Sequence, residues 1–112
     1  MFVILFKSRL SEQAGEDYYA TEDFLRARVE ALAGSDLMDI RSYIGEDGER
    51  LVVVYWNGPE TLEQWRADPA HRAAQKLGRE TWYDFYELTV AEVVRTSTGG
   101  VEVDATRLPK PS

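Results

Sequence analysis

The sequence predicts an α+β fold: a ferredoxin-like split βαβ domain whose antiparallel four-stranded sheet is covered on one face by helices. Three observations lead there. Segments of strand character and segments of helical periodicity follow one another in the order strand, helix, strand, strand, broken helix, strand. The two middle strands flank Gly45-Glu46-Asp47-Gly48, whose glycines and acids suit a tight reversal. A chain of 112 residues is also the right size for one core, since two halves would each be too small to bury their own without disulfides or metals.

Residues 2–9 are rich in aromatic and β-branched types, which suit a pleated, buried surface, and make the first strand. The apolar start has no basic segment ahead of it and is stopped by Lys7 and Arg9, so it reads as a strand and not as a signal or membrane-spanning segment. From about Asp17 to Ala33, Tyr18, Leu25, Val29 and Leu32 recur at spacings of seven, four and three among charged residues, which predicts an amphipathic helix stopped by Gly34. Residues 37–44 and 50–56 form the hairpin. After Asn57-Gly58, Pro59 opens a short helix through Trp65 and Arg66. Pro69 interrupts it, and a second piece to Gly78 places Ala70, Ala73, Ala74 and Leu77 on one side. The last strand runs from Trp82 to Val94, with Tyr86, Leu88, Val90 and Val94 on one parity. Residues 1–95 make up the domain. Residues 96–112 lack a continuous apolar pattern and read as a loose tail, in which Val101 and Val103 alternate like an edge strand added to a partner.

Both faces of the sheet ask for burial. The first strand has Phe2, Ile4 and Phe6 on one parity and Val3 and Leu5 on the other, and the run Leu51-Val52-Val53-Val54-Tyr55-Trp56 is apolar throughout, where a strand with one wet face would alternate. Helices cover one side only. The expected solution for the other is a homodimer packed sheet face against sheet face; the alternative is the tail folded across the sheet.

A net charge of −7 leaves no basic footprint for nucleic acid or an anionic membrane. With no cysteine there is no disulfide framework, thiolate metal site or thiol nucleophile, which fits a cytoplasmic protein. No phosphate-cradling glycine loop, dinucleotide fingerprint, nucleophile elbow or HExxH helix is present. One histidine among scattered carboxylates lacks metal-ligand spacing, and neither a metal nor a cofactor is expected.

His71, the one histidine, is the side chain whose ordinary pKa lies near neutrality and so the natural general base; past Pro69 it is equally placed to be a solvated helix-start residue. Trp65 suits a pocket wall for a flat substrate or a core anchor, and Trp82 belongs to an aromatic cluster that packs a core or lines a site. Arg72 is a candidate for orienting an anion, as are Arg66 and Arg79, against the ordinary role of pairing with the chain's 20 acids. Asn57 suits a ligand carbonyl or simply a turn, and Tyr55 offers a phenol at a strand end.

The segment Trp65-Arg66-Ala67-Asp68-Pro69-Ala70-His71-Arg72-Ala73-Ala74-Gln75, followed by Gly78-Arg79-Glu80-Thr81-Trp82-Tyr83, resembles the antibiotic-biosynthesis monooxygenase superfamily of dimeric α+β barrels. With the first strand and the Tyr55-Trp56 strand end, the resemblance covers about residues 1–95. It implies a homodimer with a pocket between sheet and helices. In the cofactor-free branch it implies a monooxygenase acting on an aromatic phenol or quinol-type small molecule, with Trp65 and His71 as the catalytic pair and Tyr55, Asn57, Arg72 and Trp82 as substrate-binding candidates. The haem-degrading branch is disfavoured, because the first strand has no Asn and Gln75 stands where that branch carries its histidine ligand. The alternative in a different class is a non-catalytic dimeric ligand-binding or accessory domain.

Overall fold

The computed structural model describes residues 1–100. Its elements are β1 (Phe2–Leu10), α1 (Glu16–Ala33), β2 (Leu37–Ile44), β3 (Arg50–Trp56), α2 (Pro59–Ala67), α3 (Pro69–Leu77) and β4 (Tyr83–Glu92), with a short 3-10 turn at Gly34–Asp36 and a π turn at Gly78–Trp82. The strands form one antiparallel sheet in the order β2-β3-β1-β4, the ferredoxin-like arrangement that the order of segments predicts. The proposed strand at Val101 and Val103 lies outside the described residues. Residues 93–100 carry neither helix nor strand.

Strand alternation divides the sheet into two unlike faces. Ile4 pairs with Val54 and Val90, and Val54 with Ile40, so Ile4, Phe6, Ile40, Val52, Val54, Trp56 and Leu88 share the face that α1 and α3 overlie. Val3, Leu5, Leu51, Val53 and Tyr55 occupy the opposite face, which no helix among the described residues covers. The core lies between α1 and the covered face: Val29, Ala33 and Trp56 are buried, with Ile4, Leu37, Ile40, Val54, Leu62 and Trp65 packed around them.

Trp56 is the most deeply buried large side chain, 1% exposed, and its indole must therefore place its N–H. Nε1 donates to Thr61 Oγ1 at 2.9 Å, and that hydroxyl donates to Asp36 Oδ2 at 2.7 Å. One chain of bonds thus joins the end of β3, the first turn of α2 and the 3-10 turn. Gly58 stands where a Cβ would collide with the Asp36 carboxylate and the Thr61 hydroxyl, so the turn into α2 requires glycine.

Three details depart from the pattern of the sequence. α3 ends at Leu77, before Gly78 as expected, but the glycine does not end the helical path. It keeps helical dihedrals, φ −58° and ψ −50°, and the chain continues into the π turn with Trp82 as part of that turn and not of β4. The reason is packing, because the Tyr83 ring lies where a Gly78 Cβ would come within 2.6 Å of Cε2. The small-residue side of α3 is also rotated from expectation: Ala70, His71, Ala74 and Gln75 are half-buried, while Ala73 is exposed and Leu77 is 47% exposed. Val94, placed with the last strand by its parity, lies beyond β4 and is exposed.

Thr61→Val keeps the shape of the side chain but leaves the Trp56 indole N–H and the Asp36 carboxylate without their shared hydroxyl. It should lower unfolding stability by about 1–3 kcal/mol, read as a lower urea midpoint with an unchanged slope. An unchanged midpoint would show that the network is incidental.

Candidate functional site

Between the covered sheet face and the helices lies a cavity of about 370 Å³. Its floor is apolar, built from Ile4, Phe6, Val52, Val54 and Leu88. Leu25 and Val29 of α1 form one wall; Trp65, His71, Ala74 and Gln75 form the facing one, and Trp82, Tyr83 and Tyr86 close an aromatic end. Polar groups are few and peripheral: Thr21, Glu22 and Arg26 from α1, Ser42 from β2, and Arg79 from the π turn.

The wall that carries Trp65 and His71 is set by the break between α2 and α3. The residue before a proline avoids helical dihedrals, and Asp68, ahead of Pro69, is extended at φ −61° and ψ 127°. Asp68 then caps α3 with Pro69 in its first turn, its Oδ2 accepting the His71 backbone N–H at 3.0 Å. Arg28 of α1 grips the same carboxylate through two bonds, Nε to Oδ2 and Nη2 to Oδ1, each 2.8 Å. The buried Asp68 is thereby held below the usual carboxylate range, first by the Arg28 guanidinium and further by the backbone N–H groups at the helix start.

This corner folds His71 back onto Trp65. The rings stack with centroids 4.2 Å apart and planes 13° from parallel. His71 Nδ1 lies 3.0 Å from the Trp65 carbonyl oxygen; a carbonyl can only accept, so Nδ1 carries the proton. Burial lowers the imidazole pKa from 6.5, outweighing the opposing pull of the Trp65 carbonyl and Asp68. At neutral pH His71 is therefore an uncharged ring with its lone pair on Nε2. That nitrogen has no hydrogen-bond partner among the described residues, and no buried side-chain nitrogen or oxygen there lacks one, so Nε2 opens onto accessible space. A neutral imidazole with a fixed tautomer and a free Nε2 can accept a proton from a ligand.

At the aromatic end, Tyr18, Trp82 and Tyr83 meet edge to face, with Tyr18 5.5 Å from Trp82 and 6.0 Å from Tyr83. Trp82, 3% exposed, donates Nε1–H to Asp17 Oδ2 at 3.1 Å. Desolvation raises the Tyr83 phenol far above its ordinary value and raises Tyr18 as well, so both are proton donors throughout the physiological range. Glu22 keeps solvent contact at the cavity edge yet is crowded enough that lost solvation, partly offset by Arg50 and Arg26, raises its carboxyl.

Of the residues singled out in the sequence, Trp65, His71 and Trp82 come together around the cavity, and Tyr55, Asn57 and Arg72 do not. Tyr55 is one residue from Trp56 in a strand and so points to the opposite sheet face, where it borders a shallow depression with Val3, Val93 and Val94. Asn57 is an exposed turn residue whose backbone N–H donates to the Asp36 carbonyl at 2.8 Å. Arg72 lies on the outer side of α3, exposed to solvent. Glu22 and Arg26 were not singled out, although Glu22 falls inside the apolar stripe Tyr18, Leu25 and Val29, and a carboxylate in such a stripe is a detectable signal. Asp68 was also passed over, and Asp-Pro at the opening of a helix is its signature. No group of three or more His, Asp or Glu side chains among the described residues is arranged to hold a metal ion, and none of their helices is long and apolar enough to cross a membrane.

The chain is 30% identical over 96 residues to YqjZ, an uncharacterized protein of Bacillus subtilis, covering 84% of this chain and 80% of that one. It is 27% identical over 94 residues to the jasmonate monooxygenase ABM of Pyricularia oryzae, covering 83% of this chain but only 43% of the longer fungal protein. Among solved structures, a Caulobacter crescentus protein provisionally named an antibiotic biosynthesis monooxygenase superposes with a TM-score of 0.67 at 11% identity, covering 84% of this chain and 90% of that one. No protein-family model matches the chain.

The state of His71 is open to measurement. Long-range proton–nitrogen NMR should show the neutral ring protonated at Nδ1 and titrating below 6.5. An unfolded chain takes up this proton more readily than the folded one, so stability supported by the neutral ring is present above that value and is lost as pH falls through the lower, folded pKa. A ring titrating at or above 6.5, or protonated at Nε2, would contradict the geometry described.

Proposed function

This chain belongs to the antibiotic-biosynthesis monooxygenase family, and we propose that it is a cofactor-independent monooxygenase acting on a hydroxylated aromatic small molecule. The observation that carries the proposal is the neutral His71 imidazole, stacked on Trp65 with Nε2 unbonded, at the wall of an aromatic-lined cavity. A flat substrate lies over the apolar floor, and its phenolic O–H donates to Nε2. His71 takes the proton, and the resulting phenolate pushes charge onto the ring carbon that meets oxygen. For an anthrone-type phenol, whose keto tautomer carries a ring CH2, the overall change is CH2 and O2 to C=O and water. One oxygen atom enters the product, the other leaves with both hydrogens, and all four electrons come from the substrate, so no external reductant is needed. The protein's work is binding, orientation and removal of one proton. The name of the fungal relative, a monooxygenase acting on a small molecule, supports the reaction class.

The working form is a homodimer. The uncovered sheet face offers Val3, Leu5, Leu51, Val53 and Tyr55, a contiguous apolar surface; among the described residues, the helices lie on the other side. A second copy satisfies it symmetrically. Tyr55 then serves the interface rather than the ligand.

Oxygen uptake with a panel of hydroquinones and anthrone-type phenols tests the activity. Turnover should have an acid limb set by the lowered His71 pKa and be flat through neutrality. His71→Gln should reduce kcat/KM by about 10²–10⁴ and abolish that limb, while Trp65→Ala should act mainly through KM. No uptake with any member of the panel would sink the enzymatic reading in favour of a binding role. For the assembly, Val53→Lys should convert a dimer to a folded monomer in sedimentation velocity at micromolar concentration; a wild-type monomer would refute the dimer.

A further inference from the structure

The charge lining the cavity runs against the charge of the chain. The chain has 20 acidic and 13 basic residues, yet the ionisable groups around the cavity are Glu22, Arg26, His71, Arg79, Tyr83 and Tyr86, two permanent cations to one carboxylate. The two arginines are not equivalent. Arg26 follows Glu22 by one helical turn on α1 and shares its field. Neither arginine has an acidic partner within ion-pair distance among the described residues, but Arg79, unlike Arg26, does not share the field of Glu22.

Arg79 lies in the π turn Gly78–Trp82, four residues beyond the cavity-lining Gln75, and lines the cavity rim while staying solvated. π turns are frequent at functional sites.

We infer that the ligand of this cavity is a hydroxylated aromatic acid whose carboxylate is received by Arg79 at the rim. The inference deepens the reading of the cavity as an aromatic-substrate site and rests on it. The guanidinium fork matches a carboxylate with two parallel bonds. A cavity of about 370 Å³ is at the small end for ligand pockets. It suits two or three fused rings lying over Phe6 and Val54 with the acid projecting toward solvent, and Arg26, already in the field of Glu22, contributes little to its capture.

The test is a binding measurement that needs no turnover. Quenching of tryptophan fluorescence is followed as the full chain is titrated with rhein, a dihydroxyanthraquinone carboxylic acid, and separately with rhein methyl ester. The wild type should bind the acid about tenfold more tightly than the ester. Arg79→Gln should bring the two within about twofold by weakening the acid alone, Arg79→Lys should keep part of the preference, and Arg26→Gln should leave most of it. Because Arg79 is exposed, these variants are expected to fold, as circular dichroism will confirm. Equal binding of acid and ester by the wild type, or a preference that survives Arg79→Gln, overturns the carboxylate subsite while the aromatic cavity stands. Binding of neither compound overturns both.

Discussion

The Asp68 carboxylate ties the candidate site to the fold. It ends one helix, caps the next and holds α1 through a two-bond grip on Arg28, all with a side chain 6% exposed. A carboxylate so enclosed is stable because each oxygen meets a strong donor, and the geometry that satisfies it also dictates where α3 begins. His71 lies three residues along, and its stacking on Trp65 follows from the angle of that corner. The tautomer and the open nitrogen both depend on a residue that never touches the cavity, while the ring stays neutral because burial outweighs the upward pull of that same carboxylate.

The sheet divides its labour by parity. Adjacent residues in β3 face opposite ways, so Trp56 anchors the core under α1 and α2 while Tyr55 looks out from the bare side. A phenol near the right place in sequence is thus removed from the cavity by one residue. Arg72 and Arg79 differ in a similar way: Arg72 is on the solvent side of α3, while Arg79, in the π turn that follows, lines the cavity rim.

Much of this was legible in the sequence. β1, α1, the hairpin and the broken helix follow from periodicity and from glycine and proline punctuation, and Trp65 and His71 stand out because an indole and a lone imidazole are chemically conspicuous. The illegible parts depend on tertiary packing. Nothing local to Gly78 says that the Tyr83 ring will occupy the space of its missing side chain and let a helix continue where glycine ordinarily stops one. Which strand parity meets the helices is likewise undecidable when both are apolar, and that choice alone placed Tyr55. Glu22 is legible in part: its place inside the apolar stripe of Tyr18, Leu25 and Val29 marks it, but the crowding that raises its carboxyl comes from tertiary packing.

The central position of β1 carries a consequence for biogenesis. Its ladders run to β3 on one side and to β4, the last strand, on the other, so a nascent β1 cannot complete its pairing until nearly all of the described chain has left the ribosome. Meanwhile the greasy stretch from Phe2 to Phe6 is a short, uncharged segment of high strand propensity with unpaired edges, the kind that nucleates aggregates. Vectorial synthesis therefore works against this topology, and the yield of native protein in a cell rests on how well that segment is shielded during the wait.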